Sequence, residues 1–273
     1  MAYSDRPMLA KSRQVLILER LRNDGSVRVN DLTAQLRVSD MTIRRDLDVL
    51  ARQGLAEKVH GGATLRGNPT SEEPTFEAKS ARELSEKESI AKAAAALAIR
   101  GSAIALSAGT TTWALAHHLL DLPDLTVVTN SIRIAELFDT NHTGRPTVIL
   151  TGGIRTPSDA LVGPVAERAI RSLHVDILFI GCHGMDPDAG LTTPNLAESE
   201  TNRQFIHAAH KVVAVADHTK WGVIGLSSFA EMQDVDVLVT DRGLGAGALT
   251  VASDLIGQVI FGEESSDDTW GMS

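Results

Sequence analysis

The sequence predicts an α/β protein: a small winged helix-turn-helix followed by a larger, mostly parallel βα sheet domain. Three observations point there. The first 66 residues hold short amphipathic helical segments and an alternating stretch around a glycine pair, whereas apolar runs of four to seven residues alternate with helical segments further on. Charge divides at the same place. Residues 1–66 carry 12 Lys and Arg against 8 Asp and Glu, a balance of +4, and residues 67–273 carry 14 against 27, a balance of -13. A basic module can approach a polyanion that would repel an acidic one.

The chain has 273 residues and 43% apolar content, enough for about two domains with their own cores. Residues 1–65 read as the first domain, 66–80 as a linker, 81–260 as the second, and 261–273 as a disordered tail rich in Glu, Asp and Ser. The break rests on "RGNPTSEEPTF", residues 66–76, which has neither helical nor strand periodicity. The opening "MAYSDRPMLAKSRQ" lacks the apolar core of a signal peptide, and the longest apolar run, Ala93 to Ile99, is far short of a membrane span. A cytoplasmic location without a membrane partner is expected. Cys182, in "VDILFIGC", reads as a buried structural thiol.

In "RQVLILERL", Ile17, Leu18 and Leu21 share one helical face; in "VNDLTAQL", Val29, Leu32 and Leu36 do so. "RVS" supplies a turn, Ser39 is placed to cap a third helix running to about Gln53, and Gly54 stops it. On that helix Ile43, Leu47 and Leu50 fall within about 60° of one another, with Met41, Arg45 and Asp48 opposite and Thr42 and Arg44 on the flanks. "LAEKVHGGATL" then alternates into a glycine pair as a hairpin would, carrying Lys58 and His60.

A helix seated in the major groove needs an apolar back anchored to its own domain and donors facing outward. Arginine suits the outward face because its planar fork binds guanine O6 and N7 bidentately or clamps a phosphate. On this reading Ser39, Thr42, Arg44, Arg45, Lys58 and His60 contact double-stranded DNA, with Arg45 at base edges and Arg44 at phosphate. "RRDLD" alone would fit any exposed helix; the turn, the stop and the hairpin around it give it meaning.

Downstream, "SAIALS", "LTVVTN", "PTVILTGG", "VDILFIGC", "KVVAVAD" and "DVDVLVTD" read as buried strands, and helices are expected near 83–100, 111–120, 131–138, 164–173, 197–210 and 246–258. In "LSAGTTTWALAHHL" a strand ends at Ser107, and Gly109, Thr110, Thr111 and Thr112 open a helix. Free backbone N–H groups, hydroxyls and the helix dipole meet there, which suits a phosphate, although threonines are also ordinary caps. Other strand ends carry Asn130 to bind a hydroxyl, Gly152 and Gly153, and Lys220, read as the one lysine placed to neutralise a phosphate; Glu198, opening a helix, either binds a hydroxyl likewise or only favours the helix dipole. The chain has no G-x-x-x-x-G-K-[ST] and no G-x-G-x-x-G, which argues against a nucleotide triphosphatase or dinucleotide enzyme. His117, His118, His207 and His210 lack the companions of a zinc set and read as surface histidines; no metal or cofactor is expected.

The stretch "RQVLILERLRNDGSVRVNDLTAQLRVSDMTIRRDLDVLARQGLAEKVHGGAT" resembles the N-terminal domain of the DeoR family of bacterial sugar-responsive repressors. "EKESIAKAAAALAIRGSAIALSAGTTT", "TGGIRTPSDALVGP", "GLTTPNLAESETNR", "DHTKWG" and "VLVTD" follow in the order of that family's sensor domain, so the resemblance covers about residues 13 to 241. It implies a sensor similar in fold to ribose-5-phosphate isomerase and CoA transferases. It also implies a repressor of carbohydrate genes, associated with the nucleoid when bound to operator DNA and released by a phosphorylated sugar. A dimer is the minimum unit, and a tetramer is allowed. Asp46 and Asp48 would then pair with neighbouring arginines and orient them. Many members carry an acidic residue where this chain has Ser107, which removes a carboxylate that could accept a sugar hydroxyl. A competing reading is an enzyme of the sugar-phosphate isomerase or transferase class, with Glu198 or Asp217 as base and Lys220 as electrophile. A third is a regulator whose sensor no longer responds.

Overall fold

The computed structural model describes residues 10–24, 26–53, 55–59, 61–65, 71, 73–80, 82–140 and 146–263. They fall into two compact units that divide between Asn68 and Pro69. Gly54, His60, residues 66–70 of the expected linker and residues 264–273 of the expected tail lie outside the described residues.

The first unit runs α1 (Ala10–Asp24), β1 (Ser26–Arg28), α2 (Val29–Leu36), α3 (Asp40–Arg52), β2 (Ala56–Val59) and β3 (Gly62–Leu65). Its core is Ile17, Leu21, Val27, Val29, Leu32, Ile43, Leu47, Leu50, Ala56 and Ala63, with Leu18 and Leu36 packed at the edge. The helical spacing expected from the sequence therefore builds the unit. The wing is larger than a hairpin: β1 pairs antiparallel with β3, giving a sheet of order β1-β3-β2. "SVR" is too short to show a period of two, which is why it escapes a sequence reading.

The second unit contains α4 (Phe76–Ser80), α5 (Leu84–Ala95), β4 (Ala103–Leu106), α6 (Thr110–His118), β5 (Thr126–Thr129), α7 (Ile132–Thr140), β6 (Thr147–Leu150), β7 (Ile154–Arg155), β8 (Leu161–Val162), α8 (Pro164–Arg171) and β9 (Ile177–Ile180). It continues with β10 (Gly184–Asp186), β11 (Gly190–Thr193), α9 (Leu196–Ala208), β12 (Val212–Val215), β13 (Ser227–Ala230), β14 (Val237–Thr240), α10 (Ala246–Leu255) and β15 (Gln258–Phe261). Seven strands form a sheet of order β15-β14-β12-β9-β4-β5-β6, parallel at every pairing.

Alternate residues feed opposite faces. Ile104, Val127, Phe179, Val213 and Val239 join Ile90, Leu115 and Ile134 of α5, α6 and α7. Ala105, Val128, Leu178, Ala214 and Leu238 join Ile170, Phe205 and Ala252 of α8, α9 and α10. Each strand is thus apolar on both faces, which makes its sequence a continuous run rather than an alternating one.

Three features depart from expectation. Residues 246–258 were expected to be one helix, but it ends at Leu255 and "QVIF" forms the edge strand β15 beside β14. Two antiparallel pieces were not expected: the β10-β11-β13 sheet and the β7-β8 ribbon. The end of the expected linker is also structured, for residues 76–80 form α4 and Phe76 is buried. Its single apolar residue, among acids and Pro, is too weak a signal to register as an amphipathic face.

The chain enters the sheet at β4, works outward through β5 and β6, and returns to β9 on the other side of β4 before continuing to β12, β14 and β15. The carboxyl ends of β4 and β9 therefore flank a topological switch point, where parallel sheets open a crevice for ligands.

Candidate functional site

On α3, Ser39 caps the helix: its Oγ accepts a hydrogen bond from the Thr42 backbone N–H and lies 2.8 Å from Thr42 Oγ1. Arg44 and Arg45 both face solvent. Arg44 Nε is 2.5 Å from Asp40 Oδ1, one turn back, a pairing loose enough to exchange for a phosphate. Arg45 makes no hydrogen bond or ion pair among the described residues.

The acids do not serve these arginines as expected. Asp46 is buried, taking Arg13 Nε at 2.5 Å and Gln14 Nε2 at 2.9 Å. At 100° per residue it lies roughly 60° from Ile43, on the packed side, so it anchors α3 to α1. Asp48 takes Lys58 Nζ at 2.5 Å, which ties β2 to α3 and lowers the Asp48 pKa. Like the Arg44–Asp40 pair, this one is exposed.

In the second unit, the Gly109 turn leads from β4 into α6. Gly109 has no capping side chain, so the first N–H groups of α6 lack carbonyl partners and point outward. Three residues fasten the turn. Ser107 Oγ accepts from Gly181 N–H at 3.2 Å, joining the ends of β4 and β9 across the switch point. Thr112 Oγ1 donates to the Ser107 carbonyl at 2.6 Å. Asn130, 1% exposed, accepts from Ala108 N–H at 2.8 Å and donates to the Leu161 carbonyl at 3.1 Å. Ser107, Thr112 and Asn130 are thus occupied in shaping the turn, while the Thr110 and Thr111 hydroxyls have no such partner among the described residues. Gly152 and Gly153 follow β6 with φ of 71° and 123°. A Cβ on Gly153 would lie 2.6 Å from the Val162 carbonyl oxygen, so this glycine serves a close backbone crossing.

Glu198 lies in the first turn of α9, which Asn195 caps through the Ala197 and Glu198 N–H groups. Its Oε2 is buried without a hydrogen-bond partner. Burial raises its pKa, opposed by Lys79 and by a hydrogen bond from Thr193. Asp217, 1% exposed, holds Thr219 N–H through Oδ1 and leaves Oδ2 unpartnered.

Lys220, on the short helical turn His218–Lys220 after β12, has further cations near it. Burial lowers the pKa of His183 to about 4, and Lys220, Lys79 and Arg82 then act on it in the same direction. Burial also lowers the Lys79 pKa, with Glu198, Glu73 and Lys220 as its charged neighbours. Lys79, Arg82 and Lys220 make no ion pair among the described residues. Sequence reading misses Lys79 and Arg82 because they precede the first strand by more than twenty residues, and only the fold returns them to the strand ends. The Cys182 thiol, pushed up to about 12 chiefly by burial, stays protonated. Among the described residues there is no His, Cys, Asp and Glu grouping able to hold a metal, and no helix is long and apolar enough to cross a membrane.

Comparison with known proteins shows the family. Residues 13–67 match the DeoR-like helix-turn-helix domain and residues 82–242 match the DeoR C-terminal sensor domain. The chain is 39% identical to the HTH-type transcriptional regulator GolR of Listeria innocua, covering 86% of this chain and 92% of that one. It is 36% identical to the regulator GlpR of Haloferax volcanii, covering 88% and 92%. It is 32% identical to the glycerol-3-phosphate regulon repressor of Escherichia coli, covering 87% and 93%. Among solved structures, ribose 5-phosphate isomerase A of Methanocaldococcus jannaschii aligns at 17% identity over 50% of this chain and 53% of that one, with a TM-score of 0.37.

Proposed function

We propose, from the premise that this chain belongs to the DeoR family of helix-turn-helix transcriptional regulators, that it represses carbohydrate genes and leaves its operator when a phosphorylated sugar binds the sensor. The observation that carries the effector is the set of unpaired cations. In a chain with 35 acidic and 26 basic residues, Lys79, Arg82 and Lys220 act together on one half-buried histidine and make no ion pair among the described residues. Lys79 and Lys220 are half-buried and Arg82 is exposed, and a phosphate would accept charge-assisted hydrogen bonds from such donors. The free N–H groups of α6 add donors of the same preference, and Glu198 Oε2 offers an acceptor to a sugar hydroxyl. The name of the glycerol-3-phosphate regulon repressor supports the same class of ligand.

The operator reading follows from α3. Arg45 reads base edges, Arg44 exchanges Asp40 for a phosphate, and Ser39 and Thr42 flank them. Operators with two-fold symmetry require at least a dimer, and the protein acts in the cytoplasm, at the nucleoid. No further cofactor is needed.

Thermal unfolding of the full chain with inorganic phosphate and with aldose and ketose phosphates tests the effector. A ligand at 100 times its dissociation constant stabilises by about 2.7 kcal/mol, and Lys220→Met removes the shift. Absence of a shift with every phosphate, or turnover of one of them to an isomer, would overturn this reading.

A further inference from the structure

We propose that Glu73–Ser80, with Arg82 beyond them, form a strap through which effector occupancy is communicated, with Lys79 contacting the effector's anion on the segment that follows the DNA-binding unit in the chain. This rests on the reading of the strand ends as an anion site. The first unit ends at Asn68, and a few residues later the chain is fixed to the sensor at three points.

At its start, one Glu73 carboxylate oxygen accepts from the Ser158 N–H at 3.2 Å and the other from Asn195 Nδ2 at 2.8 Å. Asn195 is the cap of α9, the helix bearing Glu198. In the middle, the Phe76 ring meets Trp113 of α6 edge-on at 6.0 Å and lies under the Arg133 guanidinium at 4.2 Å. At its end, buried Lys87 of α5 donates to the Lys79 carbonyl at 2.7 Å and also to the Arg82 carbonyl. The strap is thereby fastened to α5, α6 and α9, and the last two also present the Gly109 turn and Glu198.

Lys79 differs from the rest of the strap. Its carbonyl is held, yet its ammonium has no hydrogen bond or ion pair among the described residues. Its charged neighbours are Glu198, Glu73 and Lys220, so an anion beside Lys220 would draw the Lys79 head inward. Because Lys87 grips the Lys79 and Arg82 carbonyls together, a displacement of one is passed to the other. The ligand shifts the strap by the difference in its affinity for the two strap positions, and DNA binding shifts it back by the same coupling.

Hydrogen exchange of the full chain, with and without a saturating phosphate probe, tests this. The probe is inorganic phosphate or whichever sugar phosphate gives the larger thermal shift. Exchange should slow at residues 110–113 and 218–221 and also at 76–87. The slowing at 76–87 should vanish in Lys79→Met and return in Lys79→Arg. With DNA selected by the protein from a random pool, Lys79→Met should raise the probe concentration for half-release at least tenfold more than that for half-saturation. Slowing at 110–113 and 218–221 alone in the wild type overturns the strap and leaves the anion site standing, as does an equal rise of both concentrations. No slowing anywhere overturns the anion site and the strap with it. If Lys79→Met does not fold, the wild-type exchange pattern decides.

Discussion

The two units differ in which charges they leave without partners. On α3 the acids are matched, Asp40 to Arg44, Asp46 to Arg13 and Asp48 to Lys58, and Arg45 has no partner among the described residues. The sensor also pairs many of its charges, Arg133 and Arg155 with Asp159 and Arg203 with Glu200, but the cations Lys79, Arg82 and Lys220 and the oxygens Glu198 Oε2 and Asp217 Oδ2 have none among the described residues. Matched charges hold geometry; unmatched ones are available to a ligand. The contrast also separates a buried pair, whose loss is expensive, from exposed pairs that add little.

The sharpest way to break that comparison is Asp46→Ala. It removes the acid from a buried ion pair with Arg13 and should cost about 3–5 kcal/mol, read by calorimetry of the full chain as loss of the first unit's transition. A cost under 1 kcal/mol would mean that Asp46 does not anchor α3. In the sensor, Asn130→Ala strands the buried Ala108 N–H and Leu161 carbonyl, at about 1–3 kcal/mol for each group. Urea unfolding should register it, and phosphate affinity should fall although Asn130 itself is occupied.

On DNA, Arg45→Ala should weaken specific binding by about 1–3 kcal/mol and relax the sequence preference, whereas Arg44→Ala should weaken all sequences alike and reduce the salt slope by about one. Titrations at several salt concentrations distinguish the two, and the same response from both variants would erase the assigned roles. The smallest effect concerns pH. His183 is neutral when folded, with a pKa of about 4 against the ordinary 6.5, so its unfolded form takes up a proton first. Its contribution to stability is complete above pH 6.5 and is lost as pH falls towards 4. His183→Gln should flatten that decline in pH-dependent unfolding.

Much of this was legible in the sequence because local pattern and tertiary role coincide. Four of the apolar runs, "SAIALS", "VDILFIGC", "KVVAVAD" and "DVDVLVTD", are strands with both faces buried, and Ile43, Leu47 and Leu50 pack as their spacing requires. Asp46 was misread because an acid beside two arginines suggests a local pair, although its position on the helical wheel already placed it inward. Lys79 was invisible for another reason: nothing local marks a lysine whose charged neighbours Glu198 and Lys220 lie on chain segments more than a hundred residues away. Asn130 falls between these cases, since its place at a strand end was readable but its partners, Ala108 and Leu161, were not.

The inward Asp46 has a consequence for how such a regulator could be retargeted. Because α3 is anchored by Ile43, Asp46, Leu47 and Leu50, the outward positions Met41, Thr42 and Arg45 are free to vary without loosening the helix. A new operator preference could therefore be written into three side chains while the scaffold and its response to ligand stay as they are. The reading head is exchangeable because its mounting is not.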